Sequence, residues 1–300
     1  MAVPVFMIIT GYVSALSFEK HRIIILYEAF KLKEILRKII RYTIPYLCMY
    51  FLEVGGIIYA DKIDSYNLVY LFFTGGIGPG SYYYPIMVQS IFVIPFIYFI
   101  VRKYDSLGLI IALFINVLYE ILKSAYGMSG GCYRLLIFRY IFAIAAGCWI
   151  FINSKRNLKP FTGFLFILIG ALYIIGVCYF NYIPFTIPYW SNTSWVSILF
   201  VMPIIYFLLK QNIRNILLES LGKATFNIFL VQMVYYGLLS GRFFTGKILL
   251  LNIIICIFGG MIFYTIESRF TKVFTKKVLG LSEYISPYSI EKGLDRFILK

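Results

Sequence analysis

The sequence predicts an all-α polytopic membrane protein with about nine transmembrane helices, and three observations carry that expectation. Of its 300 residues 61% are hydrophobic and 14% charged, and the mean hydropathy of +0.85 is far above that of soluble domains. The apolar residues are gathered into long runs separated by charged clusters. Lysine and arginine crowd into alternate connections between those runs, the mark of a chain threaded through a bilayer.

A bilayer core of about 30 Å takes about 20 residues of helix. Runs of that kind lie near 1–18, 42–60, 84–101, 106–124, 133–152, 161–180, 195–209, 224–240 and 247–267. The first begins at Met1, with its charges, Lys20 and Arg22, behind it. A signal peptide has its positive charge in front and a small-residue cleavage site after, so this run is expected to stay as a spanning helix. The run at 195–209 is short. The stretch LVYLFFTGG at 68–76 is too short to span and too apolar for an ordinary loop, so it is read as re-entrant or interfacial. The membrane domain is expected over 1–275, followed by a tail at 276–300.

Segments 19–41, 102–105, 153–160, 210–223 and 268–300 hold 22 of the 28 basic residues, the six others being Lys62, Lys123, Arg134, Arg139, Arg242 and Lys247. Those segments are therefore placed in the cytoplasm. The C-terminus is then inside and Met1 outside. This asymmetry and attraction to anionic lipid account for the net charge of +15 without nucleic acid. The five cysteines, Cys48, Cys132, Cys148, Cys178 and Cys256, form no zinc-type spacing and no even disulfide set. No metal site is expected.

Charges inside the bilayer are costly and mark functional candidates. Arg134 and Arg139, in YRLLIFRYIFAIAAG, would stand about 140° apart on one helix. Arg139, the deeper, needs either a carboxylate, Glu120 or Glu53, or an anionic ligand oxygen. Glu53, in MYFLEVGG, sits near midplane and is the better candidate for a polar site. Glu120 and Lys123, in NVLYEILKS, have the i, i+3 spacing of a local pair. Glu267 and Arg269 read as interfacial residues at the inner end of the last helix. The segment KLKEILRKIIR at 31–41 divides into a basic and an apolar face and reads as an interfacial amphipathic helix. Tyr82, Tyr83 and Tyr84 read as an aromatic outer rim together with YIPFTIPYW at 182–190, either a lipid-interface belt or a surface for stacking sugar rings. The glycines of GGIGPG at 75–80 lack the GK[ST] ending of a phosphate loop.

Four segments, in order, resemble the membrane acyltransferase-3 family. VPVFMIITGYVSA at 3–15 resembles its second helix; RKIIRYTIPYL at 37–47 its basic turn into the next helix; GSYYYPIMVQSIFVIP at 80–95 and LGKATFNIFLVQMVYYG at 221–237 two later signatures. The resemblance implies about ten helices, of which nine are present here, and a bacterial inner-membrane enzyme. Such an enzyme moves an acyl group from acetyl-CoA or another acyl-CoA to a cell-surface glycan or lipid-linked sugar. It implies that the basic face of 31–41, with Arg37, Lys38 and Arg41, holds the coenzyme A phosphates, lipid headgroups being the other reading. Gln89 in the third segment and Gln232 in the fourth, where the family often has histidine, join Arg139, Arg134 and Glu53 as the candidate polar site.

The family's first helix, with the arginine and histidine given its acid/base chemistry, has no counterpart before Met1. The expectation is a sequence starting one helix late and inactive by the family mechanism as written. The single histidine, His21, falls in a cytoplasmic loop. The reading from another class is a non-catalytic glycan transporter or flippase component, with Arg134 and Arg139 gripping a pyrophosphate-linked lipid.

Overall fold

The computed structural model describes residues 2–60, 66–154, 160–180, 194–211, 215–239 and 248–279, and these hold helices and no strand. The chain divides into two compact units. The first takes residues 1–30 and 89–213, the second residues 31–88 and 214–300.

In the first unit α1 (Ala2–Lys20) packs along α8 (Ile141–Ile152). Two glycines let the backbones touch: a Cβ on Gly11 would fall 2.1 Å from the Ile144 carbonyl oxygen, and one on Gly147 1.9 Å from that of Ile8. Close approach at small residues is how helices associate in lipid, where burying apolar surface gives little drive. The middle of α8, Ile141 to Cys148, is buried throughout. Around this pair lie α6 (Ser106–Ala125) and α10 (Trp195–Lys210), with α9 (Pro160–Tyr179) on α10. The short α2 (Leu26–Ala29) follows α1, with Ile24, Ile25 and Tyr27 exposed around it.

The second unit holds α3 (Leu32–Tyr59), α4 (Leu68–Thr74), α11 (Ile216–Leu239) and α12 (Leu249–Leu279). Asn67 caps α4 by accepting from the Tyr70 N–H at 3.0 Å. Two hydroxyls on α3 pin α4 down: Tyr46 donates to the Phe72 carbonyl at 2.7 Å and Tyr50 to that of Leu68 at 2.9 Å. The segment too short to span is thus a helix held sideways to α3 by its own carbonyls. Helix α5 (Tyr83–Tyr104) begins in this unit, and the division falls after Val88.

Among the described residues all nine apolar runs fall on helices, but five helices are long and apolar enough to cross a membrane: Val3–Lys20, Tyr83–Tyr104, Ser106–Ala125, Pro160–Tyr179 and Leu250–Val278. These are the helices of a membrane protein. Ile137–Ile152 and Trp195–Lys210 are apolar but short, and α3 and α11 carry polar residues along their length, Glu53 and Asn227 among them.

Several expectations are corrected. The segment 31–41 is no separate surface helix, because α3 runs unbroken through it; Pro45 lies inside the helix and gives up only its own N–H bond. The run 133–152 is three pieces rather than one helix. Helix α12 continues past 275, so the tail boundary falls inside it. Tyr82 and Tyr83 are buried, and Tyr84 stacks on Tyr46 at 3.6 Å, so these rings are internal to the second unit rather than an outer rim. Residues 182–190 lie outside those described.

Candidate functional site

The pieces of the run 133–152 are α7 (Gly130–Leu135), an extended residue at Leu136 with φ −96° and ψ 134°, a 3-10 turn (Ile137–Tyr140), and α8. A break frees a carbonyl before it and an N–H after it, and a non-aqueous surrounding leaves neither tolerable alone. Gln89 meets both. Its Nε2 donates to the Leu135 carbonyl at 2.7 Å and its Oε1 accepts from the Ile137 N–H at 3.0 Å. One amide side chain replaces the missing backbone bonds and holds the break open.

The break decides where the arginines go. Arg139 sits on the 3-10 turn, so the 140° separation on one helix does not apply. Its side chain is 2% exposed, with the guanidinium 4.8 Å above the Tyr133 ring and 5.4 Å from that of Tyr140. Arg134, at the end of α7, is half-buried and makes no ion pair with any described residue.

Tyr133 is the hub of this centre. It is fully buried, stacks on Tyr119 with ring centroids 5.6 Å apart, and donates its hydroxyl to Glu120 Oε1. Lys123 lies 5.8 Å from the same ring. Glu120 and Lys123 therefore form no local salt bridge, because both side chains turn to the tyrosine. Arg139 and Glu120 thus both meet Tyr133, one at its ring and one at its hydroxyl. One turn before Glu120 on α6 stands Asn116, fully buried. Neither its Nδ2 nor its Oδ1 has a hydrogen-bond partner among the described residues, and neither has Glu120 Oε2.

The other candidates lie in the second unit. Glu53 is fully buried; its Oε1 accepts from the Ile77 N–H at 2.8 Å, the Gly78 N–H also favours its charge, and its Oε2 has no hydrogen-bond partner among the described residues. Its charge is met by the glycine loop rather than by an arginine. That loop is tight: Gly76 has φ +112°, and a Cβ on Gly78 would lie 1.9 Å from the Met233 carbonyl oxygen. Gln232 is half-buried and makes no hydrogen bond with described residues. Arg37 is half-buried and paired with Glu34 at 2.9 Å, Arg41 is exposed, and Lys38 is half-buried. Burial pulls the Lys38 ammonium below its usual range, with Glu34 opposing and Arg41 reinforcing.

Glu267, read from the sequence as interfacial, faces another helix of the second unit. It is buried, accepts from Asn227 Nδ2 at 3.0 Å, and takes the Thr271 hydroxyl. His21 is exposed and its Nδ1 meets the Ser17 carbonyl at 2.8 Å. Among the described residues no three His, Cys, Asp or Glu side chains come together as metal ligands.

The first unit thus brings Gln89, Arg139, Glu120, Tyr133 and Asn116 around one broken helix. A guanidinium that cannot lose its proton, a carboxylate with one oxygen to spare and an amide with both ends free can bind and orient a polar guest. Sequence reading missed Asn116 and Tyr133. The signal for Asn116 was present, an amide four residues before a glutamate in an apolar helix.

No family model matches the chain, and comparison with curated proteins and with solved structures gives no match either.

Proposed function

We propose that the protein is a membrane-embedded acyltransferase of the bacterial inner membrane with its C-terminus in the cytoplasm. It takes an acyl group, most simply acetyl, from acyl-CoA and passes it to a hydroxyl of a cell-surface glycan or lipid-linked sugar. The four ordered segments resembling the acyltransferase-3 family support the reading. The observation that carries it is Arg139, buried at a helix break over the Tyr133 ring that also meets Glu120, since a buried permanent charge in a membrane protein is kept for binding or catalysis. Arg41 and Lys38, with Arg37 once freed from Glu34, are the groups suited to the coenzyme A phosphates. Arg139 is suited to a developing oxyanion or an anionic acceptor group, because it offers a fixed fork of donors in a site with little water.

The test is free coenzyme A released by the purified protein in lipid nanodiscs, given acetyl-CoA and a pool of lipid-linked glycans. Acceptor-dependent release that Arg139→Lys abolishes at unchanged abundance supports the reading. No release from any acceptor counts against it.

A second reading, a non-catalytic glycan transporter or flippase component, has its own observation. An apolar helix broken in its run, with its freed backbone groups met by one side chain, resembles the discontinuous helices that transporters use at their substrate sites. In vesicles, movement of a lipid-linked sugar between leaflets without coenzyme A release would favour it.

A further inference from the structure

We infer that the face of α6 carrying Asn116 and Glu120 is a binding site for one hydroxyl group, held between the two side chains. The two residues are four apart on one helix, which sets their Cβ atoms about 5–6 Å from each other. Both are buried, at 0% and 2% exposure. If the side chains reached each other, the amide would donate to the carboxylate and both would be satisfied. They do not: Asn116 Nδ2, Asn116 Oδ1 and Glu120 Oε2 all lack a partner among the described residues.

Glu120 Oε1 is held away by the Tyr133 hydroxyl, so the carboxylate cannot turn to close the gap. Two hydrogen bonds of about 2.8 Å placed end to end span a little under 6 Å, which one oxygen between the two side chains supplies. The guest must accept from an amide N–H and donate to a carboxylate oxygen, and a hydroxyl does both. Three orphaned polar atoms on one buried face of an otherwise apolar helix would be among the costliest features of the fold if nothing met them.

Two sources share this chemistry, water and the hydroxyl of a sugar. The sugar rests on the acyl-acceptor reading above; the site itself does not. A sugar hydroxyl here would be oriented with its proton toward Glu120.

Thermal unfolding of the full-length protein in nanodiscs separates the possibilities. If a hydroxyl is held, Asn116→Ser keeps a donor and acceptor for it where Asn116→Ala, of nearly the same volume, does not. The serine variant should then unfold about 2–4 °C above the alanine variant. If the site is dry, an orphaned polar group only costs stability, and serine should be no better than alanine; that ordering overturns the inference, and comparing two small residues removes misfolding from cavity size as an explanation. The source is then read with octyl β-glucoside as probe. A rise in Tm with the probe in the native protein that is lost in Asn116→Ala and in Glu120→Gln assigns a sugar hydroxyl. No rise, with serine still above alanine, assigns water. Absence of coenzyme A release together with the serine-over-alanine ordering would remove the enzyme reading and leave the site standing.

Discussion

Glu53 in the second unit and Glu120 in the first are both fully or almost fully buried carboxylates on long helices, yet their surroundings differ in kind. Glu53 is met by main-chain N–H groups at Ile77 and Gly78, delivered by a glycine loop packed too closely to admit a side chain. Glu120 is met by the tip of Tyr133, whose ring also carries Arg139; each carboxylate keeps one oxygen without a hydrogen-bond partner among the described residues, but only that of Glu120 has an unmet amide one turn away. A carboxylate held by backbone is a fastener: one oxygen is tied to the loop, and the same loop crowds the other, since a Cβ on Gly76 would fall 2.5 Å from Oε2. A carboxylate held by side chains, beside a permanent charge and an unmet amide, has capacity to spare. Sequence reading favoured Glu53 as the site; the surroundings favour Glu120.

Substitutions at four positions break or sharpen this contrast, from the largest expected effect to the smallest. Gly78→Ala puts a Cβ against the Met233 carbonyl, a backbone atom that cannot step aside. Its cost should reach or exceed about 3 kcal/mol, the upper end for overpacking, read as loss of folded protein after detergent extraction. A normal yield would mean the loop is not the rigid seat described for Glu53. Arg139→Ala removes a desolvated cation over an aromatic ring, about 2 kcal/mol, and leaves Lys123 as the positive charge near Glu120, so its Tm should fall by several degrees. Arg139→Lys should recover most of that fall while transfer stays lost, which separates holding the fold from binding a ligand.

Gln89→Leu strands one carbonyl and one N–H, at about 1–3 kcal/mol for the pair. Gln89→Glu keeps the acceptor for Ile137 and strands only the Leu135 carbonyl. Amide exchange at Ile137 should therefore be fast in the leucine variant and slow in the glutamate variant; equal protection in both would mean the break does not depend on this side chain. Glu53→Gln keeps an oxygen for the Ile77 N–H and should cost less than about 1 kcal/mol without touching coenzyme A release. A complete loss of release in that variant would move the site to the second unit.

What the sequence made legible was whatever is written locally. Each apolar run became helix, and LVYLFFTGG became a short helix ended by Gly75 in the left-handed region, as its length and its glycines say. The break at Leu136 is different. YRLLIFRY contains neither proline nor glycine, and the partner that makes the break affordable is Gln89, more than forty residues earlier. Partners of the buried carboxylates were misjudged for a related reason: a sequence displays arginines, while main-chain N–H groups such as that of Ile77 and the reach of a tyrosine hydroxyl are visible only once the chain is folded. Glu267 was placed at the membrane edge because the apolar run ends there, but α12 continues to Leu279 and Asn227 of α11 is waiting for the carboxylate. The continuity of α3 through 31–41 was missed because a change from basic to apolar composition reads as a boundary, although nothing in the backbone stops the helix.

The seam between α1 and α8 has a consequence for how the protein is made. The two helices meet backbone to backbone at Gly11 and Gly147, but about 120 residues of chain separate the end of one from the start of the other. At the usual pace of synthesis of about 5–20 residues per second, α1 waits roughly 6 to 24 s for its partner. During that interval its glycine-bearing face has only lipid, the insertion machinery or another nascent chain to touch. Biogenesis of the first unit is therefore a late closure around an early helix, and Gly11 is a position where a larger residue should act first on the yield of inserted protein and only afterwards on the stability of what has folded.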